Sequence, residues 1–485
     1  MSKLSRREFL ENSMLAATVA GGLSQTPLAF AAEEGSSSPN ERLRVAVLGV
    51  NGRGQSHLNG FMKRKDAEVV AIVDPDELVG QKKGVDRVEK STGKKPAYFS
   101  DMREAFEDKS INAVSIATPN HWHSLAAIWA IQAGKDVYVE KPVSHNVSEG
   151  RRVVQAARKY DKICQTGTQS RSMPSIQAAI EFVHSGGIGE MNFARALCYK
   201  RRKSIGPKGN YDVPASVDYN IWLGPAPEKG LSRQRFHYDW HWQWDTGNGD
   251  LGNQGIHQMD VARWGLGVSD VGESVVSYGG RFGYVDAGNV ANSQVSIHDY
   301  GKKTLVFEVR GLETGALRNT TVGVIFYGSE GYVTITSGGD AAAFDKTGKK
   351  LKQFAKAGYD HFDNFVQAVK SRKKEDLTAD ILEGHLSSAL CHLGNISYQM
   401  GEKISAKEVE KRLDGQDEAS RTFDRFQAHL AANKVDLEKD QIQFGPVLTL
   451  DSKKEVFTGE LASAANPLLT RSYRKPFVVP AEGDI

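Results

Sequence analysis

The chain has 485 residues, 40% of them hydrophobic and 25% charged, with a formal net charge of +3. That length leaves room for two or three domains with cores of their own. The near-neutral balance offers no basic stripe for nucleic acid, no apolar run reaches the roughly 18 residues of a membrane span, and the scattered Cys164, Cys198 and Cys391 form neither a metal pair nor a disulfide framework.

Residues 1–32 read as a twin-arginine signal peptide. Ser5-Arg6-Arg7-Glu8-Phe9-Leu10 carries the arginine pair, an apolar stretch follows over 14–22, and Ala29-Phe30-Ala31 resembles a cleavage site. The expectation is export by the twin-arginine machinery to the periplasm, a route that carries folded proteins with any cofactor already inside. Residues 33–41 are a polar, serine-rich spacer.

From residue 42 strands alternate with helices. The strands fall near 43–50, 69–73, 113–117, 137–139 and 163–169, and the helices near 55–63, 77–91, 123–133 and 148–160. This alternation predicts an α/β Rossmann domain, a doubly wound parallel sheet covered on both faces, over residues 42–168. The turn after the first strand is Gly49-Val50-Asn51-Gly52-Arg53-Gly54, which sets Gly49, Asn51 and Gly54 against the three glycines of G-x-G-x-x-G. Asn51 tolerates left-handed backbone, and Gly52 keeps the loop slim enough for a pyrophosphate to approach at the start of the next helix. Asp74 ends the second strand about 20 residues on, where a carboxylate suits the ribose hydroxyls of NAD and repels the 2′-phosphate of NADP. The predicted cofactor is therefore NAD, held by Gly49, Asn51, Gly52, Arg53, Gly54 and Asp74.

The third strand ends in Thr118-Pro119-Asn120-His121-Trp122-His123. Asn120 is placed to cap the following helix, and Thr118, Pro119, Asn120 and His123 are expected to wall the cofactor. His121 and His123 point to different helix faces, which is poor geometry for a metal, and none is predicted. The strand at 137–139 delivers Glu140-Lys141-Pro142 to its carboxyl end, where open α/β sheets bind ligands. Pro142 restricts Lys141 and so aims its ammonium.

Beyond residue 168 the strands become consecutive: 192–199, 274–282, 293–298, 304–310, 320–327 and 331–336. Short turns between them predict an α+β domain with a mostly antiparallel sheet over 169–415. One helix interrupts it at 250–260, with Asn253, His257 and Asp260 spaced four and three apart on one face. Tryptophans surround this segment in the sequence, and Arg171, Trp222, Trp244 and Asp260 are expected to line a sugar-like pocket. Residues 416–485 form a C-terminal helix and an extended arm, rich in Phe457, Leu468, Leu469, Tyr473 and Phe477. That arm is expected to pack on its own domain or on a neighbouring subunit, with the subunit favoured.

The ordered set of the Gly49–Gly54 turn, Asp74, the segment 118–123, Glu140-Lys141-Pro142, Ile221-Trp222-Leu223-Gly224-Pro225 and residues 247–260 resembles the Gfo/Idh/MocA oxidoreductases, over residues 42–403. The resemblance implies a Rossmann domain for NAD or NADP and a large open sheet that frames the substrate and often an oligomer interface. It implies a catalytic lysine at Lys141 and a histidine base at His257. The family carries Asp four residues before that histidine, where this chain has Asn253, which can hydrogen-bond but cannot take a proton. Three functions follow as alternatives. The first is NAD-dependent oxidation of a secondary hydroxyl of a sugar, glycoside or cyclitol. The second is transient oxidation by tightly bound NAD during glycoside cleavage. The third is non-catalytic sugar binding. A homo-oligomer acting on a small carbohydrate is expected, with no nucleic acid and no membrane span.

Overall fold

The computed structural model describes residues 42–485; the expected signal peptide and the spacer lie outside them. Six parallel strands form the first sheet: β1 (Leu43–Leu48), β2 (Ala67–Val73), β3 (Ala97–Phe99), β4 (Ala113–Ile116), β5 (Asp136–Val139) and β6 (Cys164–Thr166), in the order β3-β2-β1-β4-β5-β6. Order reverses between β1 and β4, so a crevice opens at their carboxyl ends. Strands such as Ala113–Ile116 and Asp136–Val139 are buried along their whole length, as a sheet covered on both faces demands. Helices α1 (Gly54–Met62), α2 (Asn120–Gln132) and α3 (Val147–Lys159) supply part of that cover.

The second sheet has twelve strands. Its central run is β7 (Met191–Tyr199), β8 (Ser274–Gly280), β9 (Ser293–Asp299), β10 (Thr304–Arg310), β11 (Val322–Gly328) and β12 (Gly331–Thr336). Only the β7–β10 pair is parallel; the others are antiparallel. One face carries α5 (Gly255–Leu266) and α6 (Ile381–Gln399), and α6 is also packed against α3 of the first domain. Helix α6 is nineteen residues long, and its twelve-residue neighbour α5 follows a shorter helix, α4 (Gly249–Asn253). The opposite face of the sheet is covered in part by α7 (Asp417–Ala432) through Phe423, Phe426 and Leu430.

Four expectations need correction. The stretch 77–91 is broken by a π turn at Gly80–Val85. The segment 250–260 is two helices interrupted at Gln254, not one face of a single helix; Gly252 and Gly255, with the highest helical cost short of proline, bracket the break. The second sheet also continues past the predicted strands, through β13 (Ala341–Asp345), β14 (Lys350–Phe354), β15 (Glu402–Ile404), β16 (Ile442–Phe444), β17 (Leu448–Asp451) and β18 (Val456–Thr458). Finally, the arm packs on its own chain. β16 and β17 pair with β8, and Phe477, Val479 and Ile485 join the core beneath α2. Phe457, Leu469 and Phe477 are buried within the protomer, while Leu468 and Val478 stay exposed.

Candidate active site

The cofactor crevice is shaped by main-chain contacts. Gly49 adopts φ +78°, and a Cβ there would lie 2.9 Å from the Ala117 carbonyl oxygen. A Cβ on Gly54 would meet the Gly49 oxygen at 1.9 Å, so the turn closes onto α1 only with glycine. At Gly52 a Cβ would meet nothing within 4 Å, which leaves the turn bare towards the crevice. Asn51 turns its amide oxygen to Lys83 Nζ at 2.7 Å. Asp74 is buried at the next strand end, its two oxygens accepting from the main-chain N–H of Val50 (2.9 Å) and of Asp76 (3.0 Å). Burial pushes its carboxyl up to about 6 against those two bonds. A bare turn at a helix start, answered by a carboxylate beside it, fits a dinucleotide.

His123 lies between Pro142 O (2.6 Å) and Thr118 O (2.8 Å), tying the end of β4 to the loop after β5. Burial lowers its pKa, and the neutral ring donates to one of the two carbonyls. Asn120 does not cap α2. It is the first helical residue, and its amide donates to Asn248 Oδ1 at 3.2 Å.

At the end of β5, Glu140 is buried and its Oε1 accepts from Arg53 Nε (2.7 Å) and Gln169 Nε2 (3.2 Å), with His57 Nε2 also at 3.2 Å. Burial alone would raise this carboxyl, but Arg53, His57 and Lys141 hold it well below the usual range. Lys141 precedes a cis proline. Its ammonium donates to the main-chain oxygen of Asn253 at 3.0 Å, a carbonyl at the helix end next to the break. Burial lowers the lysine pKa, opposed by Glu140 and reinforced by Arg53 and Lys200. Asn253 thus serves Lys141 through its backbone, and an Asn in place of Asp keeps that contact.

The crevice is roofed by residues 200–254. Lys141, Lys200, Arg202, Trp222, Tyr238 and Trp240 line it together with the turn, Asp74 and the 117–123 segment. Arg202 is neutralised by Asp250 and donates Nη1 to Tyr238 OH at 2.9 Å, while Lys200 donates to Gln254 Oε1 at 3.2 Å. The roof is fastened at both ends. Glu77 N donates to Ser216 O (2.9 Å), Asp218 N to Pro75 O (2.8 Å), and Asp76 takes Ser216 Oγ (2.8 Å) with His237 Nε2 at 3.0 Å. From the C-terminal arm, Arg474 donates to Asn220 O (2.7 Å) and Gly224 O (3.1 Å), and Phe477 packs edge-on to Trp122.

His257 opens on a neighbouring chamber, lined also by Gln169, Ser170, Ser337, Tyr359 and His361; Arg53 and Gln254 line both spaces. Its Nδ1 is buried without a hydrogen-bond partner among the described residues, and burial, then the charge of Lys141, push its pKa down to about 3. Three expected pocket residues lie elsewhere. Arg171 and Asp260 form a buried two-point pair, Nε to Oδ2 at 2.8 Å and Nη2 to Oδ1 at 2.9 Å, with Ser387 and Glu383 around them. Such a pair, once buried, is satisfied internally and stays put. Trp244 packs towards Tyr398 and the Trp242 cluster. Trp222 does line the crevice. The sequence reading missed Lys200, Arg202, Tyr238 and the His57–Gln169 support of Glu140; the first three lie in a segment without helical or strand period.

A parallel six-stranded sheet with a glycine turn and strand-end carboxylate, joined to a large mostly antiparallel sheet, defines a two-domain protein of the dinucleotide-binding class. Two models of one family match the chain: "oxidoreductase family, NAD-binding Rossmann fold" over residues 43–168 and "oxidoreductase family, C-terminal alpha/beta domain" over 200–428. The chain belongs to this Gfo/Idh/MocA family. It is 29% identical over 178 residues to the levoglucosan dehydrogenase of Pseudarthrobacter phenanthrenivorans, covering 37% of this chain and 39% of that protein. It is 28% identical over 210 residues to an α-N-acetylgalactosaminidase of Shewanella oneidensis, covering 39% and 45%. The chain thus spans less than half the length of these relatives. Among solved structures, the WlbA dehydrogenase of Bordetella pertussis, in complex with NADH and UDP-GlcNAcA, superposes with a TM-score of 0.55 at 19% identity, covering 73% of this chain and 95% of that one.

Proposed function

We propose that this protein oxidises a secondary hydroxyl of a sugar, glycoside or cyclitol with NAD. The observation that carries the reading is Lys141, a half-buried ammonium at the carboxyl end of β5 lining the cofactor crevice, with the neutral His257 on the adjoining chamber close enough to feel its charge. NAD, when bound, accepts the hydride. His257 takes the hydroxyl proton, because it is unprotonated near neutral pH. Lys141 has one proton on Asn253 O and two left to hold the substrate oxygen as negative charge builds on it. Glu140, fixed by Arg53, His57 and Gln169, sets the direction from which Lys141 enters. Asp74 favours NAD over NADP, and the named relatives, a levoglucosan dehydrogenase among them, support a carbohydrate substrate.

The fastened roof favours a second reading, in which NAD stays bound and the oxidation is transient, as part of glycoside cleavage without net redox change. An exported protein has little free NAD to draw on. The signal-like residues 1–32 support export through the twin-arginine route to the periplasm, and the resemblance supports assembly as a homo-oligomer.

The test is to supply the purified mature protein with a panel of sugars, glycosides and cyclitols in deuterated water. Net reduction of added NAD supports the first reading. Solvent deuterium beside the oxidised carbon, without net reduction, supports the second. Neither event with any panel member, in protein shown to bind NAD, contradicts both.

A further inference from the structure

Asn248 stands at the start of α4, where an asparagine side chain ordinarily accepts from the first free N–H groups of the helix. It makes no such bond. The residue is 4% exposed, and its amide is turned instead towards the nucleotide domain. Nδ2 donates to His145 O at 3.1 Å, and Oδ1 accepts from Asn120 Nδ2 at 3.2 Å. Its main-chain oxygen accepts from Asn395 Nδ2 of α6 at 3.2 Å.

These partners are parts of the site. His145 lies on the loop that leaves β5 with Lys141, and Asn120 is the first residue of α2, on the crevice wall. Helix α4 has five residues, too few to hold its own shape, and the helical run breaks after it at Gln254. Its last residue, Asn253, supplies the carbonyl that receives the Lys141 ammonium at 3.0 Å. One side chain therefore fixes both the loop that carries the lysine and the start of the helix that carries the lysine's acceptor. The other side of the loop is held by α6: Ser388 Oγ accepts from Val143 N at 3.1 Å, and His392 Nε2 lies 3.0 Å from Ser144 Oγ. Those two bonds end on the loop. Asn248 joins the loop to α4. A shift of about 1 Å at a reacting group costs up to roughly 10²-fold in rate, so this join bears on turnover.

We propose that Asn248 is a positioning residue for Lys141: by bridging His145 and Asn120 from the start of α4, it sets where the ammonium stands in the crevice. The proposal rests on the catalytic reading of Lys141 and adds to it a residue that lines neither the crevice nor the chamber.

The experiment is trace acetylation of the NAD-loaded full chain with acetic anhydride, read lysine by lysine by mass spectrometry. It is run on the wild type, on Asn248→Ala and on Asn120→Ala, with kcat and KM measured on the same samples. Lys135 is the internal reference: it is 3% exposed, donates to Asp108 O and Ile111 O, and precedes β5 at the end away from the crevice. In Asn248→Ala the expected result is Lys141 labelled about fivefold or more faster with Lys135 unchanged, and kcat roughly 10- to 100-fold lower at a KM within about threefold. Asn120→Ala leaves the His145 bond in place, so Lys141 labelling should rise about twofold; this variant carries the test if Asn248→Ala does not fold. Lys141 labelling that rises no more than that of Lys135, whatever happens to the melting temperature, would overturn the proposal and leave Asn248 as a buried group that stabilises the fold. Faster labelling of Lys141 with unchanged kcat would refute the catalytic reading of Lys141 alone, and the positioning of its ammonium by Asn248 would stand.

Discussion

Replacing Lys141 by Met removes the ammonium while keeping an unbranched side chain of similar length. In the native site that group is half-buried, donates to Asn253 O at 3.0 Å and has two protons free for the reacting oxygen. At an effective dielectric of about 20, a unit charge about 3 Å from a developing alkoxide is worth about 5 kcal/mol. Part of this is already felt by the neutral hydroxyl, so the differential loss is about 3–4 kcal/mol, or roughly 10²–10³ in kcat. The Asn253 carbonyl loses its partner, which costs about 1–3 kcal/mol of stability, offset in part because a desolvated cation is gone. Single-turnover reduction of nicotinamide on the substrate found from the panel reads the rate, and cofactor content after gel filtration reads the fold of the crevice. Cofactor content should stay at the wild-type level, since the glycine turn and Asp74 are untouched. Asn253→Ala is the matched control: the carbonyl that holds Lys141 is main chain, so kcat should remain within about threefold of wild type. A Lys141→Met protein that keeps NAD and turns over within tenfold of wild type would refute the catalytic assignment.

Three further predictions follow from the same geometry. His257 acts in its neutral form and is pushed down to about 3, so kcat should show no acid limb near 6.5, while Lys141 acts as the ammonium with a lowered pKa, so activity should fall on the alkaline side below 10.5; a kcat–pH profile with a limb centred at 6.5 would count against His257. Asp74→Asn keeps the shape and one acceptor but removes the charge, and titration of the stripped protein should find NAD weakened and NADP strengthened, narrowing the preference by roughly tenfold. Arg474→Ala removes that side chain's hydrogen bonds to the roof and leaves that of Arg471 to Asp245 O; the lost, partly exposed bonds are worth about 1–2 kcal/mol together, so bound NAD should exchange with labelled NAD up to roughly 5- to 30-fold faster.

What could be read in advance was what depends on neighbours in sequence. The β-branched runs, the turn 49–54 with Asp74, and the strand-end Glu140-Lys141-Pro142 are local patterns whose period and turn chemistry leave few alternatives, and they sit where the parallel sheet requires. The spacing puts Asn253, His257 and Asp260 on one helical face, but Gly252 and Gly255 carry the signal of the break at Gln254, which separates Asn253 from His257 and Asp260 on α5. Arg171 and Asp260 are 89 residues apart, and nothing in either neighbourhood announces that they pair. The roof over 200–245 is held by scattered hydrogen bonds to Asp76, Pro75 and the arm, so it has no repeating pattern to betray it. The arm's aromatic residues signalled burial correctly but not against which surface; Phe477 meets Trp122 and Trp129 of its own chain.

The most direct measurement is the nicotinamide content of the purified mature protein, released by denaturation and quantified by mass spectrometry, followed by titration of any empty fraction with NAD. The account predicts near-stoichiometric NAD, or an empty crevice that fills with added NAD in preference to NADP. A protein that carries no dinucleotide and binds none would contradict it.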